Sequence, residues 1–169
     1  SAGDIDDHAD LLGLIAVQFA CYGAGTPQHD DYAHDSFDAP EEIAPRAFVA
    51  RLPQRLLGHP RGGALAVVGH VERAHSCSFR WGDQPALTSF ELMLSRLLEG
   101  KPVGFALEPF NGKYAETATD LTAMLEEYRL EDFDDLPHLD IANLYLNQND
   151  ARAYAIVGDP AVRLAASDR

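Results

Sequence analysis

The stretch "LLGLIAVQFACYGAG", Leu11 to Gly25, decides how the fold of this chain is interpreted. From Leu11 to Ala20 apolar residues fill nearly every position, a pattern that lacks the stripe of an amphipathic helix and is typical of a strand buried on both faces. Gly23 and Gly25 then predict a tight turn. Cys21 is therefore expected where a central strand opens into a loop, at the end of a parallel sheet where ligands and chemistry collect. A buried structural cysteine is the alternative interpretation.

The composition indicates a single globular domain. The chain has 169 residues, 46% of them hydrophobic, and a net charge of −14 from 13 basic and 27 acidic residues. That charge disfavours nucleic acid and membrane surfaces as partners. The acidic runs are interpreted as solvated loops, with a basic peptide or a cationic side chain as the functional alternative. No apolar run is long enough to span a membrane, and the N-terminal "SAGDIDDHAD" is acidic where a signal peptide is basic. Two cysteines make no disulfide framework, so we expect a cytoplasmic protein.

Two further buried strands are predicted downstream. "ALAVVGHV", Ala64–Val71, is followed by the polar loop "ERAHSCSFRWGDQ", and a third strand covers Ala153–Val157 before the turn residues "GDP". A helical stripe from Glu41 to Leu57, interrupted by Pro53, separates the first two strands. Two buried strands joined by a helix form a right-handed βαβ unit with parallel strands.

Two or three helices are predicted between the second and third strands, of which two have clear bounds. Thr88 and Glu91 have the spacing of a capping box, and the helix that they open ends at Gly100. A second helix covers Thr117–Arg129, with a core-facing stripe formed by Leu121, Met124, Leu125 and Tyr128. The order of elements predicts an α/β fold with a doubly wound, mostly parallel sheet. Because no strand is visible before Leu11, we expect the chain to be the C-terminal portion of a larger domain.

The sequence offers few sites for cofactors. There is no glycine-rich phosphate loop and no HxxxH or CxxC spacing, so we expect neither a nucleotide, nor a metal, nor another cofactor. A cysteine nucleophile needs a base and an oxyanion hole, to which the Cys21 backbone N–H can contribute. Within this chain His70, at the end of the second strand, is the best-placed base and His75 the weaker one. A hydrogen-bonded loop histidine is the alternative interpretation of His70.

Three segments resemble a known family. "LIAVQFACYGAG" is similar to the strand and catalytic cysteine of caspase-like cysteine peptidases, in particular their CHAT and gingipain-like branches. "GGALAVVGHVERAHSCSF" resembles their next strand and the loop that lines the primary specificity pocket. "AYAIVGDPAVRL" resembles their final strand and its Gly-Asp-Pro turn. The segments occur in the order of the family and include every strand identified above.

The resemblance implies that Cys21 is the nucleophile of a cysteine endopeptidase whose substrate is a peptide or protein. It also implies that His70 belongs to the wall of the specificity pocket and not to the catalytic dyad. The residues that it places beside the substrate are Ser76, Cys77, Ser78 and Phe79. In the family the catalytic histidine ends the strand before the cysteine strand and is followed by glycine, whereas "DIDDHAD" has neither that strand nor that glycine. We therefore expect residues 1–169 to form one caspase-like domain portion, completed by an upstream His-bearing segment of the same protein.

The substrate preference is predicted from charge. Acidic residues on the loops beside the pocket, Asp30, Asp31, Asp35 and Glu72, favour a basic residue at P1, although Arg73 and Arg80 allow the opposite. Among these acids, Asp31 and Glu72 complete the predicted substrate-binding set. A catalytically inactive caspase-like scaffold that binds peptides or proteins is the alternative function. Alone, the chain is expected to be inactive, with Leu11–Phe19 at an open or swapped edge.

Overall fold

A computed structural model describes residues 1–32, 40–81, 84–130 and 138–165. The strands in chain order are β1 (Ile15–Val17), β2 (Gly25–Thr26), β3 (Phe48–Val49), β4 (Ala66–His70), β5 (Arg80–Trp81), β6 (Gln84–Pro85) and β7 (Tyr154–Gly158). The helices are α1 (Arg51–Leu57), α2 (Thr88–Leu98), α3 (Val103–Ala106), α4 (Glu108–Leu130) and α5 (His138–Arg152). The central sheet has three strands in the order β1, β4, β7, while β2 pairs with β3 and β5 with β6. The fold is mixed α/β.

The directions of the three central strands differ from the prediction in one respect. β1 and β4 are parallel, with α1 between them in the chain, so the predicted βαβ arrangement is confirmed. β7 runs antiparallel to β4, with Tyr154 opposite His70. The long helical connection therefore returns to the end of the sheet that it left and does not cross over to the other end. The prediction of a mostly parallel sheet is wrong for this strand, and the sheet is mixed.

Alternation along β4 divides the core between the two faces of the sheet. Every residue of β4 is buried. Val67 packs with Leu56 of α1 on one face. Val68 packs on the other face in a cluster that includes Met93 of α2 and Phe110 of α4. The sheet is thus covered by α1 on one side and by α2, α3 and α4 on the other.

β1 is shorter and more exposed than predicted. It covers Ile15–Val17 where the sequence predicted a strand from Leu11 to Ala20, and Val17 is 38% exposed. In the described part of the chain only β4 pairs with it, so β1 forms an open edge of the sheet. The prediction that this strand is buried on both faces is therefore wrong. Ile15 and Ala16 are only partly buried against the two core clusters, because no described strand pairs with the outer edge of β1. The expectation that it lies at an open edge is confirmed.

The first two predicted helices are present with changed starting points. α2 begins at Thr88, with Leu87 and not Thr88 in the capping position, and Gly100 leaves the helix with a φ of 73°. This left-handed conformation is what glycine supplies after a helix. α1 begins only at Arg51, because the preceding residues pair as β3 with β2. Pro53 lies in the first turn of α1, where a missing backbone N–H costs little.

The helices before β7 are longer and more exposed than predicted. α4 extends from Glu108 to Leu130. Of its predicted stripe, Leu121 is buried, but Leu125 is 41% and Tyr128 40% exposed. α5, whose bounds were not predicted, packs mainly against α4 and carries the chain back to the sheet. Within the described ranges, no helix is both long and apolar enough to cross a membrane.

Candidate active site

Cys21 lies in the turn that follows β1. Its side chain is exposed, and its Sγ atom lies 3.8 Å from the carbonyl oxygen of Ala74. The next residue, Tyr22, has a φ of 57°, in the left-handed region that residues other than glycine seldom adopt. The chain therefore turns sharply just after Cys21, and the thiol remains accessible at the carboxyl end of the strand.

The turn is held against the residues that continue β4. The backbone N–H of Tyr22 donates to the Glu72 carbonyl oxygen at 2.8 Å, and that of Ala24 donates to the His70 carbonyl oxygen at 2.9 Å. A Cβ atom at Gly69 would lie 3.0 Å from the Ala24 nitrogen, which is tighter than nine in ten real Cβ contacts and would force the Ala24 backbone to move. The glycine in "VVGHV" therefore permits the close approach of the Cys21 turn to β4.

The backbone around Cys21 supplies a free hydrogen-bond donor. Among the hydrogen bonds between described residues, none is donated by the Cys21 backbone N–H. An N–H group beside the nucleophile is one of the donors that stabilise the oxyanion of a tetrahedral intermediate. The geometry thus permits the role that the sequence suggested for this N–H.

The loop from residue 71 to 79 runs beside the Cys21 turn. Phe79 contacts Phe19 edge to face, with 5.1 Å between ring centroids. Ser76–Ser78 form a single 3-10 turn in which Ser76 is exposed and Ser78 is buried. Of the predicted substrate-binding residues, Ser76 and Phe79 therefore lie at the surface of this loop, while the Ser78 side chain is enclosed behind it.

Cys77 differs from Cys21 in its environment. Its side chain is half-buried, and burial raises the pKa of the Cys77 thiol to about 11, with the nearby Asp150 carboxylate adding to the rise. Its carbonyl oxygen accepts a hydrogen bond of 2.8 Å from Lys113 Nζ. A thiol with so high a pKa is almost entirely protonated at neutral pH and is a poor nucleophile.

His70 is enclosed behind the loop. The side chain has no exposed surface. Its Nδ1 atom lies 2.8 Å from the Glu72 carbonyl oxygen, and its Nε2 atom lies 3.1 Å from the carbonyl oxygen and 3.4 Å from Oδ1 of Asp150. Both ring nitrogens therefore contact oxygen atoms of Glu72 or Asp150, and the ring does not reach the protein surface.

Asp150 is the centre of a buried polar cluster with His70, Ser78 and Tyr154, here named the Asp150 cluster. Oδ2 of Asp150 accepts a hydrogen bond from Ser78 Oγ, which also lies 2.8 Å from the Tyr154 hydroxyl. Oδ1 accepts a hydrogen bond of 2.9 Å from the His75 backbone N–H. Each carboxylate oxygen of this fully buried residue therefore has a donor, which offsets the cost of burying the charge.

The ionisation of the Asp150 cluster follows from these contacts. Burial alone would raise the pKa of Asp150, but hydrogen bonds from His70, Ser78 and the His75 backbone lower it below its ordinary value. Burial alone would lower the pKa of His70, but its hydrogen bonds to Asp150 and to the Glu72 carbonyl oxygen raise it. The contacts favour a charged imidazolium beside a charged carboxylate.

Three of the predicted acidic residues, Asp30, Asp31 and Glu72, lie close to one another. Glu72 and Asp30 are almost fully buried, and Asp30 forms an ion pair with Arg73. Asp31 forms an ion pair with Arg152. Burial raises the pKa of Glu72, and the charges of Asp30 and Asp31 add to the rise. Its Oε1 atom has no hydrogen-bond partner among the described residues. Asp35, the fourth predicted acid, lies outside the described residues.

A cavity of about 610 Å³ opens behind the loop, between the 75–80 segment and α4 and α5. His75, Ser76 and Cys77 line it from the loop, and Leu144 and Asn147 line it from α5. The His75 ring also packs on the Tyr32 ring, with 4.7 Å between centroids. His75 therefore lines the cavity and packs on Tyr32, and its Nε2 atom has no hydrogen-bond partner among the described residues.

Asp150 is the functional candidate that the sequence did not reveal. It lies in "NQNDARAY", a polar segment directly before the β7 strand. The available signal was weak: a polar run abuts a strand predicted to be buried, so one of its side chains has to enter the core. Only the antiparallel return of β7 brings that position to His70 and Ser78.

Comparison of the chain with protein-family models, with curated proteins and with solved structures finds no match.

Proposed function

We propose that this chain is the cysteine-bearing portion of a caspase-like cysteine endopeptidase. An imidazole takes the proton of the Cys21 thiol, the sulfur attacks the carbonyl carbon of the scissile peptide bond, and the Cys21 backbone N–H donates to the oxyanion. The C–N bond breaks as the imidazolium gives that proton to the leaving amine, and water then hydrolyses the thioester and regenerates the thiol. The observation that carries the proposal is an accessible thiol at the end of a parallel strand, beside a free backbone N–H and the 71–79 loop. The resemblance of the three strand segments to CHAT and gingipain-like peptidases adds to it, and with it a larger, doubly wound sheet.

The general base is assigned to a segment outside this chain. His70 has both ring nitrogens engaged by Glu72 and Asp150 and has no exposed surface. His75 packs on Tyr32. The open edge of β1 supports an external base, since a strand paired there would end beside Cys21. The resemblance implies such a strand, carrying the catalytic histidine, directly before the cysteine strand.

A basic P1 side chain is the proposed substrate preference. Glu72 is buried with one carboxylate oxygen unpartnered among the described residues, and Asp30 and Asp31 lie close enough to raise its pKa. A Lys or Arg side chain brought near Glu72 would satisfy that oxygen and compensate the local negative charge. Asp30 and Asp31 are already paired with Arg73 and Arg152, so Glu72 is the acid best suited to receive the substrate cation.

Cys21→Ala in the full-length protein tests the nucleophile. Cleavage of a casein or peptide-library substrate should be abolished while the circular dichroism spectrum is unchanged. Ser95→Ala, an exposed position on α2, is the control and should cleave like the wild type. Retained cleavage in the Cys21→Ala variant would refute the proposal.

The P1 preference is tested with the same library. Cleavage should follow Lys or Arg, and Glu72→Gln should reduce that selectivity by about tenfold, the usual effect of removing a charged hydrogen bond. Products ending in Asp or Leu, without a Lys or Arg signal, would overturn the assignment of Glu72 to the P1 site.

A non-catalytic peptide-binding scaffold is the second candidate. It is favoured by one observation: among the hydrogen bonds between described residues, none joins His70 or His75 to the Cys21 thiol, whose Sγ atom contacts the Ala74 carbonyl oxygen. The two functions differ in the reactivity of Cys21 in the full-length protein. A peptidyl chloromethyl ketone with Lys or Arg at P1 should alkylate Cys21 in a peptidase much faster than the same reagent with Asp at P1, whereas slow labelling of Cys21 that does not depend on the peptide would favour the scaffold.

A further inference from the structure

The Asp150 cluster lies behind the substrate-facing loop and holds both ends of its 3-10 turn. Oδ1 of Asp150 accepts the His75 backbone N–H at 2.9 Å, just before the turn, and Oδ2 accepts the Ser78 hydroxyl at the end of the turn. The turn also has its own backbone bonds of 3.1 Å, from Ser78 to His75 and from Phe79 to Ser76. One carboxylate therefore binds both ends of a turn that is otherwise held by these two local hydrogen bonds and by the bond from Lys113 Nζ to the Cys77 carbonyl oxygen.

Both flanks of that turn contact the segment that carries Cys21. Before the turn, the carbonyl oxygen of Ala74 lies 3.8 Å from Cys21 Sγ. After the turn, Phe79 packs on Phe19, two residues before Cys21. A shift of the turn would therefore be transmitted to both sides of the thiol.

We infer that Asp150 is a positioning residue, which holds the 75–79 loop in register with Cys21 so that the substrate backbone meets the thiol. The inference rests on the proposed peptidase function and adds to it a residue that touches neither substrate nor thiol. His70 connects Asp150 to Glu72, because its Nε2 atom contacts Asp150 and its Nδ1 atom contacts the Glu72 carbonyl oxygen. The same imidazole thereby links the turn to the carbonyl that receives the Tyr22 backbone N–H.

The test is Asp150→Asn in the full-length protein, which keeps the size of the side chain but places an NH2 group opposite one of the two donors. We expect kcat/KM for a peptide substrate to fall by about tenfold or more, mainly through KM, since a lost hydrogen bond to a charged group is worth that factor. The rate at which iodoacetamide alkylates Cys21 should stay within about twofold of the wild type, because this small reagent does not need the loop. Asp120→Asn, on the exposed surface of α4, is the matched control.

Hydrogen–deuterium exchange supplies a readout that does not depend on cleavage. The amides of His75, Ser78 and Phe79 should exchange faster in Asp150→Asn, while those of β4 remain protected. Ser78→Ala should show a smaller effect, and the double variant should add little to Asp150→Asn because both changes remove one shared contact.

The outcomes separate this inference from the proposed function. If Cys21→Ala is inactive but Asp150→Asn cleaves with an unchanged KM, the positioning role is refuted and the peptidase stands. If the wild type does not cleave, the exchange experiment decides, and unchanged exchange at residues 75–79 refutes the role. If alkylation and cleavage fall together with general loss of protection, Asp150 serves overall stability and the inference is overturned.

Discussion

The two sides of β4 are built in opposite ways. On one side β1 contributes three paired residues, and the segment that continues it is open, with Val17 38% and Phe19 46% exposed. On the other side β7 pairs along five residues, and the Asp150 cluster beside it is closed, with Asp150 and His70 at 0% exposure. The exposed thiol belongs to the open side, and the buried charges belong to the closed side. The exposed thiol and the buried charged pair thus lie on opposite sides of one strand.

The largest effect is expected from removing the charge at the centre of the closed side. Asp150→Ala leaves His70 and Ser78 buried without their acceptor, and breaking a buried ion pair in this way costs about 3–5 kcal/mol. Urea unfolding, followed at low protein concentration where aggregation is slow, measures the loss. Asp120→Ala on α4 is the control and should change stability by less than about 0.5 kcal/mol. Equal effects of the two substitutions would show that the closed side does not depend on its buried carboxylate.

The second comparison sets a core methionine against the edge strand. Met93 is 1% exposed in the cluster beneath β4, and Met93→Ala should cost about 3 kcal/mol because it leaves a cavity. Val17→Ala, on the half-covered β1, should cost less than about 1 kcal/mol because little of its surface is removed from water. The same urea experiment compares them. A cost at Val17 as large as that at Met93 would mean that β1 is as firmly packed as the core.

The pH dependence of stability should reflect the shifted pKa values of Asp150 and His70. The lowered pKa of Asp150 means that its contribution is present above the ordinary value of 3.8 and lost as pH falls through the lower folded value. The raised pKa of His70 means that its contribution is complete below the ordinary value of 6.5 and lost as pH rises through the higher folded value. Stability should therefore be greatest in weakly acidic solution, where both groups are charged.

His70→Gln tests this assignment. Glu72, Cys77 and Tyr154 also face the pair, and the raised pKa of Glu72 likewise makes stability fall as pH rises. The free energy of unfolding is measured at intervals from pH 4 to pH 9 for the wild type and His70→Gln. The contribution of His70 is the part of the decrease in this free energy above pH 6.5 that the substitution removes. An unchanged profile in His70→Gln would show that folding does not raise the pKa of His70.

A substitution at the open edge of β1 is expected to have the smallest effect on stability but a clear effect on the rate of aggregation. Val17→Lys places a charge on the unpaired side of the sheet and should slow aggregation of the 169-residue chain with a change in stability below about 1 kcal/mol. Leu98→Lys removes a more exposed apolar side chain, 82% accessible, from the end of α2 and is the control. Static light scattering over time compares the variants. Equal slowing by both substitutions would assign the aggregation to general hydrophobicity and not to the strand edge.

Local residue patterns were sufficient to predict two of the central strands, the end of α2 and the place of Cys21 after a strand. Continuous apolar runs predicted β4 and β7 to within about two residues, because a fully covered strand needs apolar side chains on both faces. Gly100 marked the end of α2 because its positive φ favours glycine. The position of Cys21 after a strand and before a glycine-rich turn was likewise readable, because turn residues act locally.

Strand direction, burial and contacts between these elements depend on packing between distant segments of the chain. The direction of β7 depends on where α4 and α5 return the chain, a property of packing across more than 80 residues that no local pattern encodes. α5 carries polar residues on most positions, so neither its bounds nor the inward side of Asp150 had a periodic signal. His70 was visible as a histidine at a strand end, but its enclosure follows from Asp150, which the sequence places 80 residues away. Burial, pairing and charge state are collective properties, and they arise only when distant segments share one space.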